Sequence, residues 1–375
     1  MAADMMQNSL SIDAQELAQL VSVFHISFAI AQIPVGVALD RYGARAVALV
    51  LLVIVTIGCL MAATLPGALG HGAAQAVLGI GCSGLLLCPM MFASRSVPPA
   101  RFGLWSGLIM GVGGCGMLLS ASPLAWLVEA AGWRFAFWVC CGITIVLFAL
   151  TITLVPASKQ APSSHRLSLK TELKEVLRLS RSPALRAVML MAFFSFAAVI
   201  MIRGLWGGPW LMTIKGMDRL HAGEVLSWFT VALIVGSFLS GMLDRWLGHR
   251  RLLIVASHII AGFALLLLVV GNPDYLLPSW GETLGRWQYY DVCILMIFGL
   301  SIGMYPLLFA MTREAVSGAE AGKALAAVNL AFFVGTALLQ SLSGVTVIAW
   351  GLSATLGLLG LALLACTSSF AYQTR

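Results

Sequence analysis

The sequence predicts an all-α membrane protein made of two pseudo-symmetric helical bundles. Hydrophobic residues make up 60% of the chain and charged residues only 10%, whereas soluble domains carry about 25% charged residues. Long apolar stretches alternate with short polar connections, and one charged loop motif occurs twice. A soluble fold of 375 residues could not cover so much apolar surface.

Eleven apolar stretches are each long enough to cross a bilayer, which takes roughly 20 helical residues. Backbone polar groups in hydrocarbon need partners within their own segment, so each stretch is predicted to be helical. The predicted spans are residues 17–38, 46–65, 70–92, 104–127, 134–155, 187–211, 225–243, 252–271, 291–311, 324–346 and 348–369.

The basic residues predict the orientation of the chain. A net charge of +7 would by itself also suit a nucleic-acid-binding protein. However, 17 of the 22 lysines and arginines fall in loops on one face of the predicted helices, and only four on the other. Because cytoplasmic loops carry the excess of basic residues, the first face is predicted to be cytoplasmic. The C-terminus is then cytoplasmic, the N-terminus of this chain is periplasmic, and a nucleic-acid partner is not expected.

The longest polar interval predicts the domain boundaries. Residues 156–183 separate an N-terminal bundle of five spans, 1–155, from a C-terminal bundle of six spans, 184–375. The interval opens with a Pro- and Ser-rich stretch of flexible composition. Apolar residues then recur at helical spacing among lysines and arginines, which suits a short amphipathic helix on the inner membrane surface. A solvated charged linker explains the same pattern equally well.

No motif predicts an enzyme, a metal site or a bound cofactor. The eight cysteines lie in apolar spans without the spacing of metal ligands, so they are predicted to be free thiols. The string Gly79-Ile-Gly81-Cys-Ser-Gly84 matches a dinucleotide fingerprint, but no strand precedes it and no acid follows about 20 residues on. Its glycines, like Gly107 and Gly111, are instead predicted to allow close helix packing.

The charged loop motif gives the strongest functional signal. Its first copy reads Gly36-Val-Ala-Leu-Asp40-Arg41-Tyr-Gly43-Ala-Arg45, and its second reads Gly241-Met-Leu-Asp244-Arg245-Trp-Leu-Gly248-His-Arg250-Arg251. Asp40 ends a predicted helix, where it is expected to accept from exposed helix amides or to pair with Arg41, Arg45 or Arg101. The second copy departs from the first, because Ser240 replaces the first glycine and one extra residue precedes Gly248.

The chain resembles the major facilitator superfamily from about residue 11 to 371. Gln32-Ile-Pro-Val-Gly36 running into Asp40 resembles the loop between that family's second and third helices, and Gly132-Trp133-Arg134 the turn before its sixth. The segment from Gly204 to Trp210 resembles the outer end of helix seven in bacterial metabolite-type members. The resemblance implies alternating access, with the loop motif latching the cytoplasmic side when the transporter faces outward. The residues it assigns to this gate are Gly36, Asp40, Arg41, Gly43, Arg45, Asp244, Arg245, Gly248 and Arg250.

The spacing of the two motif copies suggests that the family's first helix is absent from this chain. Asp244 lies 60 residues after Ala184, whereas Asp40 lies 39 residues after Met1. The difference, 60 − 39 = 21 residues, is about one membrane-spanning helix. A misassigned start or a truncation is expected, and upstream DNA encoding about 20 apolar residues in frame would identify the former.

Seven residues are candidates for the substrate pathway. Arg203 is the only charged residue well inside a span, and an intramembrane cation suits an anionic substrate; it could also reach the outer interface as an anchor. The polar residues within spans could line a cavity or serve as hydrogen bonds between helices. The set is His25, Gln32, Ser120, Arg203, Trp206, Tyr305 and Asn329.

The predicted function is secondary active or facilitative transport of a small solute, with an organic anion favoured by Arg203. The expected partners are this substrate, the lipid bilayer of the bacterial inner membrane and a coupling proton or ion; the chain is expected to be monomeric. One alternative is a non-transporting membrane sensor or remnant with the same fold. The second is proton-coupled drug efflux, which is weakened because Gln75 stands where the family's proton-coupling arginine is expected and Ser122-Pro123 replaces a Gly-Pro pair.

Overall fold

A computed structural model describes residues 6, 9–12, 14–119, 122–156, 174, 178–179, 182–272, 289–317 and 320–374. Most of the predicted amphipathic helix of the linker lies outside these residues, and so does the candidate Ser120; Lys174, Arg178 and Leu179 of that helix are described and are helical. Throughout the described chain the secondary structure is helical or turn. The α-helices are α1 (Ala14–Thr64), α2 (Gly67–Cys82), α3 (Leu87–Ser96), α4 (Pro99–Leu119), α5 (Ser122–Ala131), α6 (Trp133–Leu154), α7 (Pro183–Ile200), α8 (Arg219–Leu247), α9 (Arg250–Val270), α10 (Tyr290–Ile302), α11 (Leu307–Ala315) and α12 (Ala321–Gln373).

Each predicted span corresponds to a helical segment of the described chain. Gly43 and Gly351 have φ of 80° and 82° and divide α1 and α12 into two helices each. The left-handed backbone explains why glycine occupies both bends. Nine helical stretches of the described residues are long and apolar enough to cross a membrane, with α12 counted once across its bend. In the region of the predicted span 17–38, the described residues give only the shorter apolar stretch Val23–Gln32 before the one that begins at Pro34.

Helix α7 continues in π-helical geometry. Met201–Trp206 and Trp210–Ile214 are π-helical, and Gly207–Pro209 forms an α-helical turn between them. A π-helical turn adds a residue to the turn and shifts the following side chains around the helix axis. Arg203 and Trp206 both lie in the first π-helical segment.

The chain divides into two compact units that do not follow its order in sequence. The first unit contains 1–97, 116–180 and 316–330, and the second contains 98–115, 181–315 and 331–375. Two helices are therefore shared between the units. Helix α12 begins in the first unit and continues in the second, and α4 begins in the second unit and ends in the first. The predicted boundaries 1–155, 156–183 and 184–375 concern chain order and stay a prediction.

In the first unit, glycines bring the helices into close contact. A Cβ on Gly79 would overlap the carbonyl oxygen of Phe24 on α1, and a Cβ on Gly81 would lie 2.8 Å from the amide nitrogen of Val55. This confirms the predicted packing role of these glycines. In the most apolar part of helix α6, only 17% of the residues are buried. Most of its side chains therefore face outward, as on a helix that contacts lipid.

In the second unit, aromatic rings pack between neighbouring helices. They come from α7, α8, α10 and the part of α12 that begins at residue 331. The rings of Phe229 and Phe298 stack with their centroids 5.7 Å apart. A Cβ on Gly299 would lie 2.7 Å from the carbonyl oxygen of Phe229, so α8 and α10 meet backbone to backbone. All eight cysteines of the chain are free thiols, as predicted.

Candidate gate and substrate pathway

In the first unit, Asp40 caps the helix that begins at Ala321. Its Oδ1 accepts from the amide of Gly322 at 3.1 Å, and its Oδ2 accepts from the amide of Lys323 at 3.0 Å. These amides belong to the first turn of α12, where backbone N–H groups have no partner within the helix and the helix dipole favours an anion. The prediction that Asp40 accepts from exposed helix amides is confirmed.

The predicted arginine partners of Asp40 were wrong. Arg95, at the end of α3, donates to Oδ1 at 3.1 Å and forms the ion pair. The bend at Gly43 separates Asp40 from Arg45, which instead donates to the carbonyl of Ile152 at 2.8 Å. Arg41 lies over its neighbour Tyr42, with the guanidinium carbon 5.2 Å from the ring centroid. The predicted partner Arg101 is exposed and belongs to the second unit.

Two further contacts continue from Asp40 along α1 and α12. A Cβ on Gly36 would lie only 2.5 Å from the Cβ of Ala326, so a glycine is required for this helix approach. One turn further, the buried Gln32 accepts from Asn329 Nδ2 at 3.0 Å and donates to the Ser83 carbonyl at 2.7 Å. That carbonyl lies at the break between α2 and α3.

The second copy of the motif is built differently in the second unit. Asp244 Oδ1 accepts from Arg250 Nε at 2.7 Å, and Arg250 also contacts Glu314. The Asp244 side chain lies against Gly103, the fifth residue of α4, where a Cβ would overlap Oδ2. Oδ2 is buried and accepts no hydrogen bond from any described residue.

The remaining residues of the second copy shape the end of α8. Gly248 has φ of 65° and caps the helix in the left-handed conformation. Its amide donates to the Asp244 carbonyl at 2.9 Å. Gly241 allows the backbone of Leu104 to approach, because a Cβ there would lie 2.5 Å from Leu104 Cα. Arg245 is exposed.

The two copies thus occupy equivalent places with different chemistry. Asp40 lies against Gly322 at the start of α12, and Asp244 lies against Gly103 at the start of α4. In the first unit, α1 of the N-terminal half of the sequence contacts the start of α12 of the C-terminal half. In the second unit, α8 of the C-terminal half contacts the start of α4 of the N-terminal half. The first copy bonds to backbone amides, whereas the second relies on the Arg250 side chain.

Among the pathway candidates, Arg203 is held by α8. Its Nε donates to Thr230 Oγ1 at 3.0 Å, and the side chain is half-buried. Trp206, three residues on, donates from Nε1 to Ser343 Oγ at 2.8 Å. Both side chains therefore tie the π-helical segment to neighbouring helices of the second unit.

The other candidates lie in different surroundings. Tyr305 is buried, and its ring packs against those of Phe196 and Phe332 at 5.9 and 5.6 Å. His25 is exposed and makes an edge contact with the ring of Phe24 at 5.3 Å. Gln32 and Asn329 are brought together, as described above. No three His, Cys, Asp or Glu side chains of the described residues come close enough to hold a metal ion.

Sequence reasoning missed a buried ion pair in the second unit. Lys215 Nζ lies 3.2 Å from Asp291 Oδ2, with both side chains at most 7% exposed. Trp210 Nε1 donates to Asp291 Oδ1 at 3.1 Å, and Lys215 also donates to the Gly271 carbonyl at 2.8 Å. The sequence contains no local spacing that links these residues, and Lys215 looked like an ordinary loop lysine. Arg95 and Glu314 were missed for the same reason.

The long apolar helices define a multi-pass membrane protein. The family model described as Major Facilitator Superfamily matches residues 1–339. The chain belongs to this family, whose members are transporters rather than enzymes. That its first helix is absent from this chain stays a prediction.

The curated relatives are distant and differ in their named roles. A gentisate transporter of Corynebacterium glutamicum is 24% identical over 271 residues, which is 70% of this chain and 60% of the relative. The match thus spans less than two thirds of that relative's length. The methylenomycin A resistance protein of Bacillus subtilis is 22% identical, covering 91% of this chain and 82% of the relative.

Solved structures share the fold. The E. coli fucose:proton symporter FucP has a TM-score of 0.76 at 14% identity, covering 99% of this chain and 94% of the symporter. The human organic anion transporter MFSD10 has a TM-score of 0.75 at 15% identity, covering 98% and 89%. Identities this low relate the folds and leave the substrate open.

Proposed function

We propose that the chain is a secondary active or facilitative transporter that moves a small organic anion across the bacterial inner membrane by alternating access. The observation that carries the substrate class is Arg203, a half-buried cation in a π-helical segment whose guanidinium is positioned by Thr230. A charge inside a membrane span is costly, so its presence favours a functional role. The gentisate transporter among the similar proteins supports the same class.

The proposed gate consists of the two aspartate contacts and the layer behind the first. Opening on this side requires the first turn of α12 to leave Asp40 and the start of α4 to leave Asp244. Behind Asp40, the amide pair of Gln32 and Asn329 must also separate. Asn329 Oδ1 is buried and receives no hydrogen bond from a described residue, so water or solute entering here would gain an acceptor. Loops that carry these motifs face the cytoplasm in the proposed orientation, because most basic residues lie there.

Uptake into proteoliposomes tests the substrate class and the role of Arg203. Purified protein is reconstituted, and uptake of labelled gentisate is compared with that of L-fucose. Arg203→Lys and Arg203→Gln are both expected to raise the apparent KM for the anion by roughly tenfold or more, because a lost hydrogen bond to a charged group costs about 1.5–3 kcal/mol. Lysine fails as well, since an ammonium group cannot reproduce the planar guanidinium fork.

Arg186→Gln provides a matched control on the same transmembrane segment. Arg186 is an exposed arginine at the start of α7, bonded to Gln373 Oε1 at 3.0 Å. This variant is expected to transport normally. Normal transport by both Arg203 variants would show that the arginine is an anchor, not an anion ligand. A protein that binds the anion but gives neither net flux nor exchange would instead be a non-transporting sensor.

Export of an organic antibiotic is the second candidate function. The methylenomycin A resistance protein supports it, since that match covers 91% of this chain. The two candidates differ in direction and coupling. Proton-coupled export predicts substrate accumulation in everted vesicles that collapses when a protonophore is added, whereas facilitated anion transport or anion exchange continues without the proton gradient.

A further inference from the structure

One unassigned feature of the second unit is a basic cavity beside the second motif copy. It has a volume of about 700 Å³ and lies where α8 ends, α9 begins and the last turn of α12 passes. Its polar lining includes three arginines and a histidine, together with two acids. These residues are Arg245, His249, Arg250, Arg251, Asp244 and Glu314.

The charges of this cavity are unevenly balanced. Arg250 is paired with both acids, Asp244 and Glu314. Arg251 donates from Nε to Thr374 Oγ1 at 3.0 Å and from Nη2 to the Ala371 carbonyl at 2.7 Å, and both acceptors are uncharged. Arg245 is exposed and, like Arg251, forms no ion pair with a described residue. Two guanidinium charges are therefore available to a ligand at the cavity.

The start of α9 adds to this positive potential. The 21-residue helix begins at Arg250, and neither an acid in its first turn nor a side-chain cap from His249 satisfies its first amides. The partial positive charge of a helix N-terminus thus adds to the two arginines at the cavity. A ligand with one compact negative group matches this arrangement.

The rim of the cavity is apolar and faces outward. Leu252 lines the cavity and is 64% exposed. Trp246 and Leu247, which lie in sequence between the lining residues Arg245 and Gly248, are 72% and 53% exposed. Exposed leucines and a tryptophan at the end of a membrane span are typical of the depth where lipid headgroups meet acyl chains. A soluble anion would gain nothing from this rim, whereas acyl chains would cover it.

We propose that this cavity binds the phosphate group of an anionic phospholipid, with Arg245 and Arg251 as its ligands and Leu252 and Trp246 against the acyl chains. The proposal does not depend on the transported substrate. Basic pockets between transmembrane helices on the cytoplasmic side are suited to lipid phosphates. Bound there, the lipid would lie directly beside the Asp244–Arg250 contact of the proposed gate.

Native mass spectrometry of the purified full chain tests the proposal. The protein is titrated with phosphatidylglycerol and, separately, with phosphatidylcholine of the same acyl chains. Wild type is expected to bind phosphatidylglycerol more tightly. Arg245→Gln with Arg251→Gln is expected to reduce this preference by roughly fivefold for each arginine, the contribution of one basic residue near an anionic surface. Arg251→Lys keeps the charge and should keep most of the preference.

Two further measurements identify the source of the phosphate group and the location of the site. Inorganic phosphate at millimolar concentration is expected not to displace phosphatidylglycerol; displacement would mean that the cavity binds a soluble anion. Arg186→Gln removes a charge outside the cavity and should leave the preference unchanged. The proposal is overturned if the double variant binds like wild type, or if Arg186→Gln weakens binding equally. Size-exclusion profiles establish that each variant is folded.

Discussion

At the scale of single residues, the proposed gate depends on two glycines as much as on two aspartates. Gly322 and Gly103 sit where Asp40 and Asp244 lie against the starts of α12 and α4. The aspartates could be predicted from the sequence, because the motif repeats around them. The glycines could not, because they are distant in sequence and their need arises only when the helices pack.

Gly103→Ala is predicted to destabilise the protein. The new Cβ would overlap Asp244 Oδ2 and push the carboxylate away from Arg250, and overpacking of this kind costs about 1–3 kcal/mol. Gly113→Ala on the same helix is the matched control, since nothing lies within 4 Å of its Cβ position. There alanine should be neutral or stabilise by up to about 1 kcal/mol, because glycine is a poor helix former.

Thermal unfolding in detergent measures this difference. A thiol-reactive dye reports unfolding, because Cys59, Cys88, Cys141 and Cys366 are buried in the folded chain. Cys115 and Cys140 are exposed and give a constant background. Equal unfolding midpoints for Gly103→Ala and Gly113→Ala would show that the contact of Asp244 does not require a glycine at position 103.

At the scale of elements, the sequence predicted the spans well and their internal breaks poorly. Apolar stretches of about 20 residues identify a membrane helix regardless of its partners. By contrast, the turns at 83–86 and 303–306 interrupt apolar runs without any charged residue, and Gly84, Gly303 and Pro306 are their only sequence signals. Their role appears only in the packed protein, where the Ser83 carbonyl at the first break accepts from Gln32. The π-helical segments of α7 were likewise not foreseen.

The buried pair of Lys215 and Asp291 is predicted to hold the outer part of α7 to α10. Asp291→Asn leaves the lysine charge buried without its partner, which typically costs about 3–5 kcal/mol. Adding Lys215→Gln restores neutrality and keeps a donor for Gly271 and an acceptor for Trp210. The double variant should therefore recover most of the lost stability.

The same dye assay follows both Lys215–Asp291 variants. The single variant is expected to unfold at a clearly lower temperature than the double variant. If the double variant is no more stable than Asp291→Asn alone, an uncompensated charge is not the cause of the loss.

At the scale of the whole molecule, the positive-inside bias predicts which ends of the helices face the cytoplasm. Helix α8 provides a direct test, because its 29 residues cross the membrane once. Gly223 lies near its predicted outer end and is exposed with open space around its Cβ position. His249, which is exposed, directly follows its predicted inner end.

Cysteine labelling in cells checks this orientation. A membrane-impermeant maleimide should modify Gly223→Cys in intact cells, and His249→Cys only after permeabilisation. The unsubstituted chain gives the background from its own exposed thiols. The reverse pattern would place the gate motifs on the outer side and refute the proposed orientation.

The bonds between Asp40 and the backbone of α12 make this half of the gate tolerant of mutation in one partner. The bond from residue 323 does not depend on its side chain, because every residue except proline supplies the same backbone amide. The other half has no such freedom, since its bond depends on the guanidinium of Arg250. The two copies of the motif therefore differ in robustness. A substitution of Lys323 by any residue except proline keeps the amide that donates to Asp40, whereas a substitution of Arg250 removes the donor to Asp244. Gly322 is the exception opposite Asp40, because a Cβ there would overlap the carboxylate.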